Sequence, residues 1–180
     1  NMVKVYDVTI KNLKSFKDHE GCEIAQGEIW KGKEHLGFWS QDSWGGEDIF
    51  EFSKEKLADE VAKFKASNHF NNLLDREASA DDQKTRKDIE KYFDEEMFIY
   101  EILHRMRVAK LYKKVCKKYN VTTCVAILHN TEIVMFPICG DECNSSDEKL
   151  LRISTVQEYL EKKKYGQLMV IRKEADLSIV

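Results

Sequence analysis

The run Gly37-Phe38-Trp39-Ser40-Gln41-Asp42-Ser43-Trp44-Gly45-Gly46 gathers two tryptophans, an aspartate and a Gly-Gly pair at the end of a β-forming stretch. As a binding loop, Gly45 and Gly46 would let backbone approach a ligand, Trp39 and Trp44 would offer stacking surface, and Asp42 would accept hydrogen bonds. As a structural loop, its tryptophans would pack on the sheet and Asp42 would cap backbone N–H groups. It is not a phosphate loop, since the glycine spacing and the Lys-Ser/Thr pair are missing. Glu101-x-x-His104 repeats the spacing of di-iron bundles, which need two such motifs and two further glutamates. One copy reads more simply as an exposed pair on a helix. Cys139-x-x-x-Cys143 is half a zinc site. Cys116, Cys124 and His129 form no second close pair, so neither a metal nor a cofactor is expected. With no nucleophile elbow and no dinucleotide fingerprint, no catalytic residue is assigned. An enzyme would have to gather Asp42, His104 or Cys139 from distant parts of the chain into one deep pocket.

A second candidate surface lies on the helical stretch that follows. Asp88, Glu90, Asp94, Glu95, Glu96 and Glu101 fill its first half, and Arg105, Arg107, Lys110, Lys113, Lys114, Lys117 and Lys118 its second. This division complements a helix macrodipole and solvates an exposed face. It could also make residues 105–118 a basic patch for the phosphate backbone of a nucleic acid.

Four β-forming runs come first, at 3–14, at 22–30, around Leu36, Phe38 and Trp39, and around Ile49, Phe50 and Phe52, with a turn at Lys31-Gly32-Lys33-Glu34. They predict an antiparallel meander. Leu57, Val61 and Phe64 give one helical stripe behind Ser53. From 82 to 119 the stripe through Ile89, Phe93, Met97, Leu103, Met106 and Tyr112 is widened by Ile99, Ile102 and Val108. A helix packed on more than one side is expected. Unbroken, it would reach roughly 57 Å at 1.5 Å per residue, against a radius of gyration of about 16 Å for a chain of this length. A break near 85–88 or 94–96 is therefore expected. His129-Asn130 joins a hairpin over 121–128 and 131–136, closed by Pro137. An acidic loop at 139–148 leads to a short strand around Leu150–Ile153. A helix over 155–164 follows, with Ser154 and Gln157 as a capping box. Residues 167–173 suit a strand or a helix equally.

The fold class is α+β: an N-terminal antiparallel β-meander, a long central helix, a β-hairpin and a C-terminal helix. It forms one domain over 2–180, with a possible division into 2–66 and 82–180. The 180 residues carry a net charge of −3 and a pI near 6.0, which disfavours a wholly basic nucleic-acid binder. No apolar run reaches the roughly 18 residues of a membrane span. Met2 reads as the natural start, and no secretory segment follows it. Five cysteines in a chain able to build its own core indicate reduced thiols and a cytoplasmic setting.

The order Glu23-x-Ala25, Lys31-Gly32-Lys33, Gly37-x4-Asp42-x2-Gly45-Gly46 and, near the end, Tyr159-Leu160-Glu161-Lys162-Lys163-Lys164-Tyr165-Gly166 resembles small uncharacterised proteins of bacteriophage and prophage genomes. Ser43-Trp44 departs from their pattern, which has glycine and a small or polar residue there. The resemblance implies a phage-related context and no particular activity. The leading expectation is an interaction protein that binds an unknown protein partner through Trp39, Asp42, Trp44, Gly45 and Gly46. Nucleic-acid binding through residues 105–118 and catalysis by scattered residues are the alternatives.

Overall fold

A computed structural model describes residues 2–180. Strands β1 (Val8–Lys17), β2 (Glu23–Lys31), β3 (Glu34–Ser40) and β4 (Ile49–Phe52) form an antiparallel sheet in the order β1-β2-β3-β4. Gly32 turns β2 into β3 with φ +59°, where a side chain is disfavoured. At Gly37 an added Cβ would lie 1.9 Å from the Glu51 carbonyl oxygen, so only glycine lets β4 pair with β3 here. Asn12, at φ 52°, sits in a register break of β1 between Lys11 and Lys14. That break bends the outer edge of the sheet.

Helices α1 (Ala58–Lys65), α2 (Asn68–Glu77), α3 (Gln83–Tyr92) and α4 (Glu95–Tyr119) follow. The expected break in the long helix falls at Phe93–Asp94. Phe93 turns extended and stacks on Phe64 with centroids 5.5 Å apart. The Asp94 carboxylate then accepts from Met97 N at 3.0 Å and caps α4. Asn120 ends α4 in the left-handed conformation.

Strands β5 (Thr123–His129) and β6 (Glu132–Ile138) make the expected hairpin, with Asn130 at φ 51°. Residues 167–173 resolve into strand β7 (Gln167–Ile171), which pairs antiparallel with β5, so the second sheet runs β6-β5-β7. Pro137 does not close β6, which continues to Ile138. An edge strand has no second neighbour to miss the proline N–H. The strand expected around Leu150–Ile153 is instead helix α5 (Asp147–Leu151), capped by Ser146 Oγ on Lys149 N. Helix α6 (Ser154–Lys163) lacks the expected capping box: Ile153 is its N-cap, and Gln157 Nε2 donates to the Leu151 carbonyl.

Two cores meet on α4. Phe98, Ile99 and Ile102 pack with Ile10, Ile29 and Phe64 beneath the first sheet. Val108, Ala109 and Tyr112 pack with Cys124, Ala126 and Ile171 of the second. The wide apolar stripe therefore serves both sheets in turn. The chain ends are tied together, with Tyr6 N donating to the Ile179 carbonyl at 2.7 Å and Ile179 N to the Lys4 carbonyl at 2.8 Å.

Candidate functional site

Between the first sheet and α4 lies a cleft of about 860 Å³. Leu13, Lys14 and Ser15 of β1, Ala25 of β2 and Trp39 of β3 form one wall. Met97, Tyr100, Leu103, His104, Arg107 and Lys110 form the other from a single face of α4. That face runs for roughly 20 Å at 1.5 Å per residue. Leu73 and Arg76 of α2 and Phe93 line the same space, as do Asn130 and Thr131 at the hairpin tip.

The two ends differ in charge. Toward Tyr100, Asp48 Oδ2 accepts from Trp39 Nε1 at 2.9 Å and from Tyr100 Oη at 2.7 Å. Burial and the Asp48 contact raise the Tyr100 phenol well above its ordinary range. Toward Lys110 lies a buried ion cluster. Glu101 Oε2 is 2.9 Å from Arg76 Nη1, and Glu101 Oε1 accepts from Arg105 Nε at 2.9 Å. Arg105 Nη1 also donates to the Leu177 carbonyl at 2.9 Å, and Arg76 Nε to Glu77 Oε1 at 2.9 Å. Burial would raise the Glu101 carboxyl, but the flanking arginines outweigh it and hold the group below its usual range. Burial, reinforced by Arg76, pushes His104 down to about 4, so its ring is neutral near pH 7.

Three polar atoms of this cluster have no aligned hydrogen-bond partner: Arg76 Nη1, Glu101 Oε2 and His104 Nε2. The Arg76–Glu101 approach is thus ionic rather than a well-directed hydrogen bond. Glu101 and His104 are not the exposed helix pair expected from their spacing. Glu101 is 3% exposed and bonded to two arginines, which suits a structural charge and not a metal ligand.

Of the loop residues, Trp39 and Gln41 line the cleft, while Asp42, Trp44, Gly45 and Gly46 do not. The Asp42 carboxylate accepts from Gly46 N at 2.9 Å and Trp44 N at 3.3 Å, closing its own loop. Gly45, at φ +77°, makes that turn. Trp44 is 75% exposed and packs beside His19 at 4.8 Å. The basic residues of α4 divide three ways. Arg105 is buried and withdrawn from any surface. Arg107 and Lys110 face the cleft. Lys113 pairs with Glu174 at 3.1 Å, while Lys114, Lys117 and Lys118 are in no ion pair among the described residues.

Sequence reasoning passed over Arg76, Asp48, Tyr100 and Asn130. For Arg76 a signal existed: it follows Phe70 and Leu73 at helical spacing, and all three are buried. Among the described residues no three His, Cys, Asp or Glu side chains gather to hold a metal ion. No helix among them is long and apolar enough to cross a membrane. Compared with protein-family models, curated proteins and solved structures, the chain matches none.

Proposed function

We propose that this chain works by binding a partner protein, and that the cleft beside α4 seats an extended segment of that partner. The observation that carries the reading is the cleft itself: a long apolar trough with fixed polar groups toward each end. A length of roughly 20 Å accommodates about six extended residues at 3.3 Å each. One wall includes β1, an edge strand whose outer side has no strand partner and leaves backbone groups available to an added extended chain. Five free thiols suit a reducing compartment, so the cytoplasm is where this binding would occur. The likeness to phage and prophage proteins supplies context for a small interaction module and no activity.

The test is an array of short random peptides probed with the purified chain and two variants. Enrichment of peptides with apolar runs is expected, lost in Leu13→Glu and retained in Trp44→Ala. Leu13 is 45% exposed, so the charge enters the cleft wall without entering the core. No enrichment, or enrichment insensitive to Leu13→Glu, would sink the proposal.

A second reading has its own observation. Lys114, Lys117 and Lys118 lie together at the exposed end of α4, where Lys118 Nζ sits 5.3 Å from the Tyr119 ring centroid. Nucleic-acid binding there would weaken steeply with salt. A flat salt response, or no shift with any nucleic acid at low salt, excludes it.

A further inference from the structure

We infer that the end of the cleft around Trp39, Asp48 and Tyr100 is a subsite for a single organic cation, an ammonium or guanidinium group carried by the bound segment. The inference rests on the peptide-binding reading and adds to it the chemistry of one ligand group.

Asp48 lines the cleft and is only partly buried. Its Oδ2 accepts from Trp39 Nε1 at 2.9 Å and from Tyr100 Oη at 2.7 Å. Those donors stand on β3 and α4, the two walls of the cleft, so the carboxylate is fixed before any ligand arrives. Both donors are neutral, and they orient the charge without cancelling it. Asp48 is in no ion pair among the described residues. Its second oxygen, Oδ1, has no hydrogen-bond partner among them and keeps contact with solvent. An ionised carboxylate with a free oxygen accepts a charge-assisted hydrogen bond from an ammonium or guanidinium N–H.

The surroundings favour the same sign. Tyr100 is 43% exposed and lines the cleft beside Asp48, and an aromatic face attracts a cation. The charges that raise its phenol are all carboxylates, Asp48, Glu96 and Glu47. Glu96 is already paired with Lys54 at 2.7 Å, which leaves Asp48 and Glu47 to act on a ligand. Lys14 of β1 also lines the cleft, but it forms no ion pair with Asp48. A metal ion does not suit the place. Calcium takes six to eight oxygens, and among the described residues no three His, Cys, Asp or Glu side chains gather to hold one. On a peptide the cation is either a lysine or arginine side chain or the N-terminal amine.

The experiment takes one peptide enriched on the array. Lysine is placed at each position in turn with the N-terminus acetylated, glutamine is placed there in a matched set, and one glutamine form keeps its free amine. Affinities are measured for the unaltered chain and for Asp48→Asn, whose amide oxygen can still accept from Trp39 and Tyr100. A lysine at one position, or the free amine, is expected to bind roughly tenfold more tightly than its neutral match, as for a charged hydrogen bond. That preference should shrink in Asp48→Asn, and whichever form wins identifies the source of the cation. Thermal unfolding checks that the variant is folded. Should it not fold, the Asp48 carboxyl carbon resonance of the unaltered chain decides: it should move further with the preferred cationic peptide than with its neutral match. Equal binding of charged and neutral forms overturns the subsite and leaves peptide binding standing. A preference undiminished in folded Asp48→Asn, or an Asp48 resonance indifferent to the charge, also overturns it. If no peptide binds in a Leu13-sensitive way, both readings fall together.

Discussion

Arg76 Nη1 on α2 and Glu101 Oε2 on α4 lie 2.9 Å apart, with their side chains only 7% and 2% exposed. Through this pair the helix behind the cleft is fastened to the helix that walls it. Glu101 also holds Arg105, so one carboxylate balances two buried guanidinia. Removing one partner of such a cluster strands charge in the interior.

Glu101→Ala is therefore expected to destabilise the fold by about 3–5 kcal/mol, measured by urea unfolding. A loss below about 1 kcal/mol, typical of an exposed pair, would show that the cluster is solvated.

Acid should unfold the chain earlier than its overall charge suggests. The folded His104 value of about 4 lies below its ordinary 6.5. A depressed value means the unfolded chain binds the proton first, so this stability is complete above about pH 6.5 and is lost as pH falls toward 4. After allowance for residual solvent contact it amounts to on the order of 2–3 kcal/mol. Glu101, also held low, adds to the loss in the same direction below its ordinary range. The urea midpoint should fall through that window, and less so in His104→Gln. Identical pH profiles for the two proteins would contradict the burial of His104.

At the other end of the cleft, Asp48→Ala leaves Trp39 Nε1 and Tyr100 Oη without their shared acceptor. Trp39 is 5% exposed and cannot turn to water, so a loss of about 1–3 kcal/mol is expected. The Tyr100 phenol should fall toward its usual 10.0, and titration of phenolate absorbance reads this directly. An unmoved tyrosine titration would mean that Asp48 does not govern it.

The thiols should react in two groups. Cys22 and Cys139 are exposed, while Cys124 is buried, with its thiol pushed up to about 12 by burial and the Cys116 sulfur 3.8 Å away. Alkylation followed by peptide mass spectrometry should label Cys22 and Cys139 in the folded protein and Cys124 only after unfolding. Early labelling of Cys124 would show that the second core opens.

The elements were readable where periodicity and stop residues agreed. The Gly32 turn, the Asn120 stop and the His129-Asn130 hairpin stand where local chemistry put them. Leu150 misled because one buried leucine suits a helix turn as well as a strand, and the deciding contact is the Ser146 cap. The site was much less readable. Trp39 belongs to it, but Asp42 and Trp44 form a self-contained turn, and nothing local separates a bonded aspartate from a free one. Arg105 was grouped with its basic neighbours although helical rotation places it on the buried side. Arg76 and Glu101 meet only because the chain brings the end of α2 to α4, a fact of the fold and not of spacing.

Binding in the cleft is tested most directly by amide chemical-shift mapping, titrating an enriched peptide into the isotope-labelled chain. The expected result is a connected set of perturbations at Leu13–Ser15, along α4 from Met97 to Lys110, and at Asn130–Thr131. Perturbations confined to residues 42–46, or to 113–118 at the end of α4, would contradict it.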